Sequence, residues 1–184
     1  MAFPKGIEAR ERGRTLRKLL YDDGGRPLAI TLVLGASGAW TLVREIRESP
    51  PRALQRETWT SQADTWATVT PIVLDRHPKV DRVKDLQQWS LEVAAIVAES
   101  CDRQGLPLPV GIDIDRTCWH RGGPRATPGR GGGFPLMPVK PGQPARQQVH
   151  AWLRFDRPID GPLLLGAGRY RGYGLCRPWK RDER

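Results

Sequence analysis

The chain has 184 residues, enough for one well-buried domain with an added lobe, and its 39% hydrophobic content is compatible with a folded core. Thirty Lys and Arg against twenty Asp and Glu leave a formal charge of +10, which favours a polyanionic partner, nucleic acid first and a ribosomal or membrane-surface setting as the alternative. The three cysteines (101, 118 and 176) include no CxxC pair, which argues against a disulfide framework and for a reducing cytoplasm, and the apolar run 28–36 is far too short to span a bilayer.

Residues 7–20 predict a basic helix anchored by Ile7, Leu16, Leu19 and Leu20. A break at 22–25 (DDGG) precedes strand-forming residues 28–34, a glycine turn at 35–38 and a returning strand at 40–46, together a hairpin closed by Pro50 and Pro51. A second strand region, 65–74, carries Pro71, which demands an edge or a bulge there. Leu86, Trp89, Val93, Ile96, Val97 and Cys101 then recur at three- and four-residue steps, predicting a helix from about 82 to 104 with Asp81 as its N-cap and Gly105 and Pro107 as its stop. Residues 109–115 predict a strand with Ile112 and Ile114 facing inward. The segment 121–146 holds seven glycines, six prolines, five basic residues and no acid, so it cannot build a core and its ordering calls for a partner. Residues 147–155 form the last predicted strand, and a glycine-rich tail follows Asp160.

This order predicts an α+β fold: a ferredoxin-like (RRM-like) sheet with one long helix, an N-terminal hairpin and a Gly/Pro-rich insertion. The expected division is a basic N-terminal helix at 1–26 and an RNA-binding domain at 27–184 with a flexible loop at 121–146.

Along 147–155, Val149, Ala151, Leu153 and Phe155 alternate with His150, Trp152, Arg154 and Asp156. The second set fits either a stacking and phosphate-contact stripe or a polar outer face with Trp152 tucked under the long loop. The tail segment 161–178 packs five glycines, two tyrosines and three arginines without an acid. Gly166, Gly168 and Gly172 miss the dinucleotide-binding spacing, because Arg171 occupies the place of the third glycine, and no Gly-Lys-Ser/Thr follows, which excludes a P-loop. Arg169, Arg171, Arg177, Lys180 and Arg181 around that turn favour RNA contact over a plain hairpin.

RNA cleavage through the 2′-hydroxyl needs a base for that proton, an acid for the departing 5′-oxygen and cations beside the phosphorane. His77 lies in LDRHPK with Asp75, Arg76 and Lys79 around it, and serves either as that acid or base or as a loop histidine satisfied by Asp75. His120 opens the Gly/Pro loop, which could carry it to a substrate, while His150 suits binding better than proton transfer. The cysteines and histidines match no common metal-ligand spacing, so no metal is expected.

Two segments, WATVTPIVLDRHPK at 66–79 and GAGRYRGYGLCRP at 166–178, resemble the CRISPR-associated RAMP superfamily, in particular the fused repeat-processing subunit of type I-U (I-G) systems. The resemblance covers about residues 40–178. It implies the C-terminal, repeat-RNA-cleaving half of such a subunit: a metal-independent endoribonuclease that leaves a 2′,3′-cyclic phosphate and stays on the mature guide. The partners would be precursor and mature CRISPR RNA and the other subunits of a type I effector complex, with no cofactor and no membrane. Gly166, Gly168, Gly172 and Gly174 correspond to the family's glycine-rich loop, with a shorter spacing between the glycine pairs. His77 would be the general acid or base, with His120 its rival and Arg76 and Lys79 near the phosphate. Arg169, Tyr170 and Arg171 would hold the RNA. A non-catalytic subunit capping one end of the guide is the alternative, and a generic RNA-binding protein a third. Fused members carry a further RAMP half before this region, so the expectation is a split product, a truncation or a processed fragment.

Overall fold

A computed structural model of the chain describes residues 7–33, 39–129 and 132–180. The chain divides into two compact units, Met1–Gln55 and Arg56–Arg184. The break thus falls 29 residues later than the expected division after residue 26, and the hairpin belongs with the first unit.

In the first unit, α1 (Ala9–Leu20) ends with the Tyr21 N–H on the Arg17 carbonyl, and none of its residues is buried. The DDGG break forms a tight turn in which Asp22 Oδ1 accepts from the Arg26 N–H at 2.8 Å. Strands β1 (Ile30–Val33) and β2 (Ala39–Leu42) pair antiparallel from Ile30 opposite Leu42 to Val33 opposite Ala39. The returning strand is shorter than the predicted 40–46, and the turn expected at 35–38 lies outside the described residues. Trp40 remains 62% exposed, and no described side chain of either strand is buried.

The second unit runs α2 (Glu57–Thr60), β3 (Ala63–Thr68), β4 (Ile72–Val73), α3 (Leu86–Asp102), β5 (Gly111–Asp115), β6 (Gln148–Ile159) and β7 (Cys176–Pro178). All its pairings are antiparallel, with β6 between β5 and β3 and with β7 on the other side of β3. This is the ferredoxin-like order, with one departure: between β6 and β7 the second crossover helix is replaced by the glycine-rich segment and its single 3₁₀ turn, Arg169–Arg171. Pro71 interrupts the long first strand as expected, since it has no N–H for the ladder. Pairing with β6 resumes at Ile72 opposite Val149.

The core lies on one face of β6. Val149, Ala151, Leu153 and Phe155 pack with Trp66, Ile72 and Leu74 against Trp89, Val93, Ile96, Val97 and Cys101 of α3, the alternation and the helical period both read from the sequence. The helix starts later than predicted. Asp85, not Asp81, is its N-cap, accepting from the Gln88 N–H at 2.9 Å, while Asp81 accepts from the Val83 N–H in the preceding turn. Gly105 closes it at φ +68°, letting the Leu106 N–H return to the Cys101 carbonyl. No described helix is long and apolar enough to cross a membrane.

Candidate nucleic-acid interface

The glycine-rich segment folds back on itself through the Leu165 N–H on the Gly174 carbonyl and the Cys176 N–H on the Leu163 carbonyl. It docks on the β3–β4 break: the Gly174 N–H donates to the Pro71 carbonyl at 2.8 Å and the Ala167 N–H to the Val73 carbonyl at 2.9 Å. Gly174 has φ +67°, and a Cβ there would overlap the Leu165 carbonyl oxygen. At Gly166 a Cβ would overlap the Val73 carbonyl, and at Gly168 it would stand 2.7 Å from Tyr173 Cβ. Gly166, Gly168 and Gly174 are buried, so the close approach they permit is to the protein itself, to backbone at Gly166 and Gly174 and to the Tyr173 side chain at Gly168. Gly172 alone of the four is exposed.

What this packing holds outward is the turn itself. Tyr170 is 87% exposed, Arg171 is exposed, and the Arg169 guanidinium lies 4.7 Å from the Tyr170 ring centroid while Nη1 donates to the Gly166 carbonyl. Arg177, grouped with them by sequence, is turned away on β7, and Arg181 lies outside the described residues.

The polar face of β6 is not the open stripe that its alternation allowed. His150 is 0% exposed. Its Nε2 stands 2.9 Å from the Pro124 carbonyl, which only accepts, so the ring proton sits on Nε2. Nδ1 then accepts from the Thr68 hydroxyl, whose oxygen accepts from the Ala151 N–H. Burial lowers the His150 pKa from its ordinary value and keeps the ring neutral. Trp152 packs edge-on against Trp179 with ring centroids 5.9 Å apart, which leaves Arg154 and Asp156 as the exposed members of that set.

His120 is likewise no mobile group. It is 5% exposed, and Arg177 Nη2 lies 2.9 Å from its Nδ1. A guanidinium only donates, so Nδ1 accepts and Nε2–H donates to the Ala67 carbonyl at 3.1 Å. The loop expected to be flexible is tied down at further points. Gln148, 3% exposed, donates to the Ala126 and Pro135 carbonyls and accepts from the Met137 N–H. The Tyr173 hydroxyl also donates to Pro135, and its ring meets Phe134 edge-on.

His77 has the opposite setting. It is exposed, just past β4, and Asp75 pairs with Arg103 across to α3 instead of with the imidazole. Arg76 is drawn away from it: Nη1 and Nη2 reach Glu92 and Glu99 at 3.2 and 3.0 Å. Glu92 also accepts from the Lys79 and Val80 backbone N–H groups, which with Arg76 hold its carboxyl below the usual range. The Lys79 side chain is exposed beside this loop. Among the described residues no three His, Cys, Asp or Glu side chains form a group that could hold a metal ion.

The family model described as "CRISPR-associated protein, GSU0054 family" matches residues 52–178, more than half of the chain. The chain belongs to this CRISPR-associated family. No curated protein and no solved structure matches it. The GSU0054-family match spans all the strands and helices of the second unit and every site residue placed above, whereas α1 and the hairpin precede it. Membership gives the chain a role in a CRISPR system.

Within the family region, three residues that organise the interface escaped sequence reasoning. Gln148 and Thr68 anchor the Gly/Pro loop and His150, and Ser100 Oγ accepts from the Gly166 N–H at 2.9 Å. Gln148 belongs to the same alternate set as His150 and Trp152, and an amide on a sheet face that becomes covered needs buried partners. Ser100 sits on the buried face of α3, where a hydroxyl invites the same question.

Proposed function

We propose that this chain is the repeat-RNA-processing half of a RAMP-type subunit, cutting precursor CRISPR RNA within its repeat and retaining the mature guide in a type I effector complex. The observation that carries the reading is the Arg169-Tyr170-Arg171 turn, braced by buried glycines, with Tyr170 and Arg171 exposed and the half-buried Arg169 guanidinium against the tyrosine ring. Such a turn suits a ribose-phosphate chain with a base on the tyrosine. His77 is the imidazole best placed for chemistry, because His120 and His150 are buried with both ring nitrogens engaged. As base it removes the 2′-hydroxyl proton. The 2′-oxygen then bonds to the adjacent phosphorus, the P–O5′ bond breaks, and the 5′-oxygen takes a proton from an imidazolium or water. The products are a 2′,3′-cyclic phosphate and a 5′-hydroxyl end. Lys79 would stand near the phosphorane, since Arg76 is committed to Glu92 and Glu99.

That commitment of Arg76 favours a second reading, a subunit that binds the guide without cutting it. Incubation with repeat RNA in excess chelator separates the two. Processing predicts cyclic-phosphate product that falls by about a hundredfold or more in His77→Ala. Undiminished cleavage in that variant removes His77 from the mechanism, and an intact chain that binds repeat RNA but never cuts it leaves the guide-binding role.

A further inference from the structure

The arginines of the second unit fall into two populations. Arg76 and Arg103 are neutralised by Glu92, Glu99 and Asp75. Arg82, Arg116 and Arg146 have no ion pair among the described residues, and all three line one cavity of about 280 Å³ together with Trp89, Thr127 and Gln147. No acidic residue occurs anywhere between Asp115 and Asp156, so the long loop that builds one wall brings no compensating charge.

Each arginine is held by neutral groups. The Arg82 guanidinium stacks 5.4 Å from the Trp89 ring centroid. Arg116 Nη2 donates to Thr127 Oγ1 at 2.9 Å, and Arg146 Nη1 donates to the Leu74 carbonyl at 3.2 Å and to that of Asp75. Trp89 Nε1 donates in turn to Gln147 Oε1 at 3.2 Å, which ties the ring beneath Arg82 to the wall that carries Arg146. A guanidinium has five N–H donors, so these contacts orient the three forks while leaving most donors for another acceptor. Three like charges around one concavity repel one another, and an anion between them reverses the sign of that interaction.

We propose that this cavity is a phosphate-binding subsite that seats one nucleotide of the bound RNA, its phosphate among Arg82, Arg116 and Arg146. The inference rests on the RNA-binding reading above and adds a second place where the strand is held. The volume suits a nucleotide, not a duplex, and the Trp89 ring, buried and stacked by Arg82, offers no open face to a base. Through Arg146 one side of the hollow is built on the carbonyls of Leu74 and Asp75, the start of the segment that leads to His77. A strand seated there is thereby tied to that same segment.

The test is fluorescence anisotropy of the full chain with an end-labelled single-stranded RNA oligonucleotide, repeated over a series of NaCl concentrations. Arg82 and Arg116 are exposed, so Arg82→Ala/Arg116→Ala spares the core. It is expected to weaken binding by about tenfold at fixed salt and to lower the slope of log K against log salt by about 0.7 for each phosphate that the variant no longer neutralises. Arg82→Lys/Arg116→Lys keeps the charges but not the forks, and should restore the slope with only part of the affinity. Binding within twofold of the unmodified chain, with an unchanged slope, overturns the subsite. So does affinity that depends on Arg169 and Arg171 but not on Arg82 and Arg116, an outcome that keeps the RNA-binding reading. Failure of the unmodified chain to bind RNA at all overturns both. Since the readout is binding, a chain that never cuts RNA still answers the question.

Discussion

The two acid-free loops of the second unit are alike in composition and opposite in design. The glycine-rich segment before β7 turns Gly166, Gly168 and Gly174 inward against β4, Tyr173 and Leu165 and holds Tyr170 and Arg171 outward, with Arg169 half-buried beside them. The Gly/Pro loop between β5 and β6 does the reverse. It buries Ala126 and gives its carbonyls at Pro124, Ala126 and Pro135 to His150 and Gln148, which roofs the polar face of the sheet. A glycine-rich, basic composition therefore does not by itself make a ligand cradle. In both loops the protein's own groups take backbone hydrogen bonds, and what decides is which side chains that packing leaves facing outward.

The sharpest way to break this contrast lies in the first loop. Gly174→Ala combines a left-handed φ with overlap on the Leu165 carbonyl, and should cost about 3 kcal/mol in urea unfolding. Gly172 has a similar φ, +83°, but no atom within 4 Å of a built Cβ, and Gly172→Ala should cost only about 1 kcal/mol. Equal destabilisation at the two positions would remove the argument from packing.

The second loop is probed by Gln148→Leu, which strands the Ala126 carbonyl and the Met137 N–H and leaves the Pro135 carbonyl to the Tyr173 hydroxyl. A destabilisation of about 2 kcal/mol is expected. Hydrogen exchange should quicken around Met137 while RNA affinity through Arg169 and Arg171 is retained. Unchanged exchange there would show that the loop is held by something other than Gln148.

Acidification tests the same roof. Burial lowers the folded-state pKa of His150 below its unfolded value of 6.5. Its contribution is therefore full above that pH and is lost as pH falls through it, because the unfolded chain takes a proton that the folded one refuses. Stability measured from pH 7.5 to 5 should fall with a slope of at most about 1.4 kcal/mol per pH unit from this group. A His150→Gln variant should be less stable at pH 7.5 and lack that part of the slope. An identical slope in the variant would reassign the acid sensitivity.

The smallest effect on stability belongs to the outward turn. Arg169→Ala/Arg171→Ala should change unfolding free energy by no more than about 0.5 kcal/mol. It should nevertheless weaken RNA binding and flatten its salt dependence by about 0.7 for each phosphate left without its arginine. Destabilisation with unaltered RNA affinity would invert the comparison between the two loops.

Much of the scaffold was legible because its causes are local. The alternation Val149, Ala151, Leu153, Phe155, the three- and four-residue steps from Leu86 to Cys101, the interruption at Pro71 and the stop at Gly105 each depend on neighbours within a few residues. Even there the cap lies at Asp85 and not at Asp81, since both carboxylates can serve a following N–H and only packing chooses the helix start. The candidate site was less legible. Arg76 and His77 stand side by side in sequence, yet one is taken by glutamates 16 and 23 residues further on and the other is left to solvent. Glu92 and Glu99 lie about two turns apart on one helical face, a pattern that could have signalled an arginine between them.

By itself, then, the sequence determined the charge, the order of elements and the apolar faces that must meet, since these follow from side-chain chemistry and backbone period. Only the tertiary structure decided that His120 and His150 close the roof while His77 does not. Thr68 lies 82 residues from His150, and Ala67 lies 53 from His120. Partners that far apart are brought together by chain crossings that no local preference encodes.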